Sequence, residues 1–221
     1  MAPRWIFAPA LCWFAAVALG QDVPIVQPGA PGAASHHLSA AAAAIKPREP
    51  VQADVEFMQG MIHHHSQAVE MVALMQARTH NKALLKLGEK ISISQTDEMR
   101  FMRQWLEDRG KQVPMDHHQM NHDMSHMDHG GMDMGSMPMM PGMLTPEQMK
   151  ALAAAKGSRF DYLFLTGMIQ HHTGALVMVK DLMDTPAAGQ DAQLFDFATD
   201  VDNTQTAEIN IMKSMLKEKK K

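Results

Sequence analysis

Gly60-Met61-Ile62-His63-His64-His65 returns 107 positions later as Gly167-Met168-Ile169-Gln170-His171-His172. In each copy two adjacent imidazoles follow a thioether by three and four residues, the spacing that brings side chains together on one helix face. Imidazole and thioether together suit copper and silver, and imidazole also serves zinc. His63 stands apart from this set. A helix turns about 100° per residue, so His63 points away from the face that His64 and His65 border, and the second copy replaces it with Gln170. One histidine on an apolar face would read as a core side chain satisfied by hydrogen bonds. Four at repeated positions, beside Met61 and Met168, point to a metal site.

The repeat extends beyond the motif. Asp54, Phe57, Ala68, Met71 and Val72 match Asp161, Phe164, Ala175, Met178 and Val179 at the same offset of 107. Gln95, Thr96, Glu98, Met102 and Leu106 match Gln205, Thr206, Glu208, Met212 and Leu216 at an offset of 110, so the second half has three extra residues in its internal connection. Gln95 with Glu98, and Gln205 with Glu208, fall on faces that should be buried. A buried carboxylate needs a partner, so these residues would orient the histidines or ligate a metal directly. Asp54 and Asp161 precede Met61 and Met168 by seven residues, about 10 Å of helix. That is too far to share a site with the histidines of the same helix. A helix-start carboxylate favoured by the macrodipole explains them as well as a functional role does. Met58, Met71, Met75, Met99, Met102, Met178, Met212 and Met215 fit ordinary core packing, where Met is a good gap filler.

Between the copies, residues 115–143 hold ten Met and five His in 29 residues, with recurrent Gly and Pro. Such a segment has too little aliphatic or aromatic content to bury a core, so no fixed fold is expected. Met115, His117, His118, Met120, His122, Met124, His126, Met127, His129, Met132, Met134 and Met137 are candidate metal ligands. Ordinary spacers use Gly and Ser, whereas exposed Met is costly. Thioether sulfur favours Cu(I) and, by the same softness, Ag(I), and this composition argues against zinc as the main cargo.

Other chemistry finds no support. There is no Glu-x-x-His pair for a dinuclear carboxylate iron centre, no His-Glu-x-x-His, no Gly-rich phosphate loop, and no triad context for Ser66 or Ser92. A formal charge of -4, from 20 basic and 24 acidic residues, gives no nucleic-acid footprint. Arg4 followed by the apolar run Trp5 to Leu19 and a small-x-small site at Ala18-Leu19-Gly20 reads as an export signal over 1–20. The single cysteine, Cys12, lies inside it, so any soft-metal site of the mature chain relies on Met and His. A soluble periplasmic protein, without stable membrane insertion after cleavage, is the expectation.

The elements that must position these side chains are helical. Residues 21–50 read as a disordered tether in which His36 and His37 are solvated. From Asp54 to Met75 the apolar residues follow helical spacing, and a second helix over 82–109 stops at Gly110. Thr145-Pro146-Glu147-Gln148 is a capping box opening a short helix to about Ala155. Two further long helices are expected near 158–184 and 190–218, and no strand is apparent. The result is an all-α four-helix bundle from two repeated hairpins, 51–110 and 145–221, joined by the Met/His-rich linker 111–144 and related by a pseudo-two-fold axis.

The doubled Asp…Phe…Met-Ile-x-His-His…Ala…Met pattern, each copy followed by Gln-x-x-Glu…Met, resembles a bacterial family catalogued as a domain of unknown function. That family includes periplasmic copper-binding proteins of the CopM type. The resemblance spans about 51–217. It implies a ferritin-like helical bundle, binding of Cu(I), Cu(II) or Ag(I), and a role in copper resistance. It carries over onto Asp54, Met61, His64, His65 and Met71, and onto Asp161, Met168, His171, His172 and Met178.

The function expected is therefore sequestration or transfer of copper, and of silver, with a periplasmic copper efflux or resistance component as a protein partner. Two other classes stay open: a copper-dependent oxidase of Cu(I) or a small reductant, and a helical interaction module for an efflux system in which His and Met only pack. No catalytic motif supports an enzyme. Because imidazole ligates in its neutral form, His-dependent binding is expected to weaken below about pH 6.

Overall fold

The computed structural model describes residues 25–28, 32–39, 48–114 and 139–218. The chain divides into two units, Met1–Pro47 and Arg48–Lys221. In the first, β1 (Ile25–Gln27) pairs antiparallel with β2 (His36–Leu38), with Val26 opposite His37. This pair amends the expectation of no strand. Three residues are too few to display an alternation, and Ile25 and Val26 are exposed, so no buried face marks the strand in the sequence. His36 and His37 are exposed in β2, as expected for solvated histidines.

The second unit is the helical bundle. Helix α1 (Gln52–Ala73) and α2 (Lys82–Asp108) form one hairpin, through a 3-10 turn at Met75–Ala77. After the linker, α3 (Pro146–Ala154) leads into a second hairpin of α4 (Gly157–Asp184) and α5 (Ala192–Glu218). Each hairpin packs most extensively within itself, and the two meet through α1 and α4.

Local signals set these boundaries. The Asn81 side chain accepts from Leu84 N–H at 3.2 Å and starts α2. Gly110, at φ +61, ends it, as Lys111 N–H returns to the Leu106 carbonyl at 2.8 Å. Thr145 and Gln148 close the expected capping box around α3. Asp54 accepts from Val51 N–H at 3.1 Å and, with its other oxygen, from Gly189 N–H at 2.7 Å, so it ties the start of α1 to the α4–α5 connection. Its repeat partner Asp161 accepts from Asn81 at 3.3 Å, in the α1–α2 connection. The two aspartates therefore do the same job at opposite ends of the bundle.

The apolar interior falls into two clusters. One gathers Phe57, Met58, Met61 and Ile62 of α1 with Met102, Trp105 and Leu106 of α2, Ala175, Val179 and Leu182 of α4, and Leu194 to Val201 of α5. The other gathers Ala68 and Met71 of α1, Leu84 to Ile91 of α2, Leu144, Leu152, Phe160 to Met168 of α4, and Ile209 and Met212 of α5. In every long helix the residues that separate the clusters are polar: His64 and His65, Gln95, His171 and His172, and Gln205. The bundle thus has a polar layer across its middle, closed above and below by hydrocarbon.

Candidate metal centre

His64, His65, His171 and His172 have no exposed surface. Helices α1 and α4 bring the two copies of the motif together, and the His64 and His171 rings lie against each other with centroids 3.8 Å apart and planes tilted by 36°. His65 and His172 flank this pair, at 6.4 Å from His64 and 6.0 Å from His171 respectively. Helix α2 supplies Glu98 to His65 Nε2 at 2.6 Å, and α5 supplies Glu208 to His172 Nε2, also at 2.6 Å. The repeated Gln-x-x-Glu is thus the orienting element, with the carboxylate rather than the amide reaching the imidazole.

The two central rings use backbone acceptors. His64 Nε2 lies 3.0 Å from the Pro141 carbonyl, and His171 Nε2 lies 2.8 Å from the His64 carbonyl. A carbonyl only accepts, so both rings carry their proton on Nε2. For His65 and His172, a carboxylate opposite Nε2 selects the same tautomer of the neutral ring. The lone pair of His64 and His171, and of His65 and His172 in their neutral form, then sits on Nδ1, and all four Nδ1 atoms are buried without a hydrogen-bond partner. Gln95 Oε1 and both amide atoms of Gln205 share that condition. A buried unsatisfied polar group costs roughly 1–3 kcal/mol, so a layer holding seven such atoms is poorly explained by packing alone.

The electrostatics keep the central rings neutral. Burial, reinforced by the neighbouring His65, lowers His64 from an ordinary histidine value to about 3, against the opposing effect of the hydrogen bond to the Pro141 carbonyl. Burial likewise holds His171 well below the usual range, with His64 adding to it. For Glu98 burial acts upward, but hydrogen bonds from His65 and Ser94 outweigh it and the carboxyl stays below its ordinary value.

Among the described residues the two copies are not equivalent, because the chain returning from the linker meets His64 and leaves His171 to the His64 carbonyl. Met143 N–H bonds the Met140 carbonyl at 3.2 Å, closing a turn with Pro141 and Gly142 at its centre and Gly142 at φ +76. This strap is held by Gln67, which bonds Leu144 N–H at 2.7 Å and the Leu144 carbonyl at 3.0 Å, and by Gln170, which donates to the Gly142 and Met143 carbonyls. Gly174 makes room for it: a Cβ there would lie 1.9 Å from the Pro141 oxygen. Gln67 and Gly174 are repeat partners, as are His63 and Gln170. Two of the positions where the copies differ are therefore positions where the strap is held.

Other candidate residues take other positions. Met61, Met71 and Met168 are fully buried in the apolar clusters, Met61 and Met168 within one turn of the histidines. Met178 is half-buried at the edge of the first cluster. Asp54 and Asp161 do not join the layer: their carboxylates are engaged at the bundle ends, ten residues from His64 and His171, or about 15 Å along a helix. Their positions match the helix-start reading rather than a place beside the histidines. The linker ligands Met115, His117, His118, Met120, His122, Met124, His126, Met127, His129, Met132, Met134 and Met137 lie outside the described residues. The Pro141 carbonyl was not foreseen as a partner of His64, although Pro-Gly marks a turn in the sequence.

Among the described residues, no three His, Cys, Asp or Glu groups are grouped to hold an ion between them. The donors at hand are instead paired imidazoles and nearby thioethers. That set fits Cu(I) and Ag(I), soft ions that accept low coordination numbers, better than an ion needing a closed nitrogen and oxygen cage. Among the described residues no helix is long and apolar enough to cross a membrane.

The fold and the layer together define a helical bundle of two hairpins with paired buried histidines at its centre. The chain belongs to the DUF305 family, a domain of unknown function, whose family model matches residues 54–216. A DUF305 fragment from Deinococcus radiodurans superposes with a TM-score of 0.61 at 24% identity, covering 77% of this chain and 99% of its own. A candidate secreted DUF305 protein from Streptomyces coelicolor gives 0.60 at 28% identity, covering 75% and 93%. CopM, solved in Cu(I)-bound, Cu(II)-bound, Ag-bound and apo forms, shares the fold with a TM-score of 0.53 at 24% identity; the Cu(I) form covers 75% of this chain and 96% of its own. Comparison with curated proteins gives no match.

Proposed function

We propose that this protein binds copper, and silver with it, in the periplasm and sequesters or hands on the ions. One observation carries the reading: four buried imidazoles in a single layer, each fixed through Nε2, hold Nδ1 lone pairs that no protein group uses. A metal ion supplies what those atoms lack. Orientation of a ligating His through its other nitrogen is the usual support of such a site. The presence of CopM, solved with Cu(I), Cu(II) and Ag, among proteins of this fold supports the choice of metal. The segment between the hairpins, with its Met and His side chains, would capture ions at labile positions and the bundle would hold fewer, more firmly. The export signal read from the sequence supports a place of work outside the cytoplasm, where thioether ligands suit an oxidising compartment because they form no disulfides.

Competition titrations with Cu(I) and Cu(II) test this on three proteins. They are the mature chain, a variant with residues 115–137 replaced by Gly and Ser at equal length, and a variant with His64, His65, His171 and His172 all changed to Ala. The Gly/Ser variant should lose most of the capacity and keep the tighter binding, and the histidine variant the reverse. Loss of all binding on replacing 115–137 would rule out a bundle site.

A further inference from the structure

Gly60 opens the first copy of the motif, and two thioethers converge on it. A Cβ at Gly60 would lie 3.1 Å from the Met140 sulfur and 3.5 Å from Met178 Cε. Met140 comes from the strap and Met178 from α4, and both are half-buried, so this notch opens to solvent. Its pseudo-symmetric twin lies over Gly167. There a Cβ would meet Leu144 Cδ2 at 3.0 Å and Met71 Cε at 3.3 Å, and both side chains are buried. The same strap therefore fills both notches, with Leu144 in one and Met140 in the other. Leucine suffices where the task is packing alone. The open notch has the Met140 sulfur on one side and the methyl end of the Met178 thioether on the other.

We propose that the Gly60 notch is a separate soft-metal site, in which the Met140 and Met178 sulfurs bind Cu(I) or Ag(I), and that among the described residues the Gly167 notch is no counterpart to it. The inference rests on the copper and silver reading given above and adds a place of entry. Met139, the residue before Met140, is 55% exposed, and Pro141, the residue after, accepts from His64. Three successive residues of the strap thus run from solvent, through the thioether pair, to the buried histidine layer. The absence of a Cβ at Gly60 is what lets the Met140 sulfur approach the helix so closely.

The test is a silver titration of the mature protein carrying 13C-methyl methionine, with Met140 and Met178 assigned by substitution. Ag(I) avoids redox chemistry and is added in excess over the linker ligands. The Met140 and Met178 methyl signals should shift together on one titration curve while Met71 stays put. In Met140→Leu the Met178 signal should keep its silver-free position although silver still moves other methyls. Leu and Met are close in volume, and such swaps usually cost under about 1.5 kcal/mol. Should that variant fail to fold, Met178→Leu read at Met140 serves instead. Met178 unmoved in the parent protein, or moved equally in Met140→Leu, overturns the site. If no methionine methyl of the parent moves at all, the copper and silver reading fails and takes this site with it.

Discussion

His171 donates from Nε2 to the backbone carbonyl of His64 at 2.8 Å, while the two ring centroids lie 3.8 Å apart. The pair sits where α1 and α4 cross, so the two halves of the repeat meet through their most repeated residues. Neither ring can take up a proton cheaply, since each is buried and each has a neighbouring imidazole that opposes its charge, His65 for His64 and His64 for His171.

That arrangement makes the bundle acid-sensitive. His64 and His171 have folded pKa values depressed below the unfolded one, so their contribution is present above about pH 6.5, the unfolded histidine value. It is lost as pH falls toward about 3 for His64. Each such group removes about 1.4 kcal/mol per pH unit in that window. Glu98, also lowered, acts in the same direction further down. Urea denaturation of the metal-free protein should show stability dropping from pH 6.5 to 4.5, and a flat profile would contradict the neutral buried pair. Metal release in acid should then track loss of the fold. It should not begin with protonation of His64 near pH 6, where an exposed histidine would titrate.

Glu98 and Glu208 set the tautomer of the flanking rings. In Glu98→Gln the side chain can offer an N–H to His65 Nε2, which moves the ring proton to Nδ1 and removes the lone pair from the layer. Loss of such an orienting partner typically weakens a metal site by about 10- to 100-fold. The expected result is a Cu(I) affinity lower by that factor for each glutamate, with imidazole 15N shifts of the metal-free protein reporting the changed tautomer. Unchanged shifts and unchanged affinity in both variants would remove the carboxylates from the site.

Asp191 joins the two hairpins away from the histidines. It accepts from Trp105 Nε1 at 3.1 Å, from Arg109 at 2.7 Å and from Leu194 N–H at 3.0 Å, the last at the start of α5. Burial raises its carboxyl, but the bonds from Arg109, Trp105 and Leu194 outweigh this and hold it below the usual range. Asp191→Ala leaves buried donors unpaired and removes a helix cap, so a loss of about 2–4 kcal/mol is expected. Chemical denaturation measures it, and silver binding by the folded variant should be unchanged.

Most of the bundle was legible in the sequence because its signals are local. Helical spacing located α1, α2, α4 and α5, Thr145 and Gln148 located α3, and Gly110 marked an end. The repeat selected His64, His65, His171 and His172 and joined them to Glu98 and Glu208, which the structure pairs with His65 and His172. Three features were not legible. The β1–β2 pair is too short and too exposed to pattern its residues. The roles of Asp54 and Asp161 depend on Gly189 and Asn81, partners distant in sequence. The strap escaped because its evidence lay in the differences between the copies, Gln67 against Gly174 and His63 against Gln170, and a repeat comparison first draws attention to what is kept.

The strap therefore supplies a sharp test of how the copies became unequal. Gly174→Ala would set a Cβ 1.9 Å from the Pro141 oxygen, a backbone atom of a turn that cannot rotate away as a side chain could. The strap must lift, and His64 Nε2, Gln67 and Gln170 would lose their partners on it together. Overpacking of this kind costs about 1–3 kcal/mol, and alanine would gain back up to roughly 1 kcal/mol of helix propensity within α4. A net loss of stability is expected, with faster amide hydrogen exchange at Leu144, whose N–H bonds Gln67. Gly167→Ala is the control, because its contacts at 3.0 and 3.3 Å are the flexible ends of Leu144 and Met71. It should be the milder change and should leave the Leu144 amide protected. Equal exchange at Leu144 in both variants would mean that the strap is not held through Gly174.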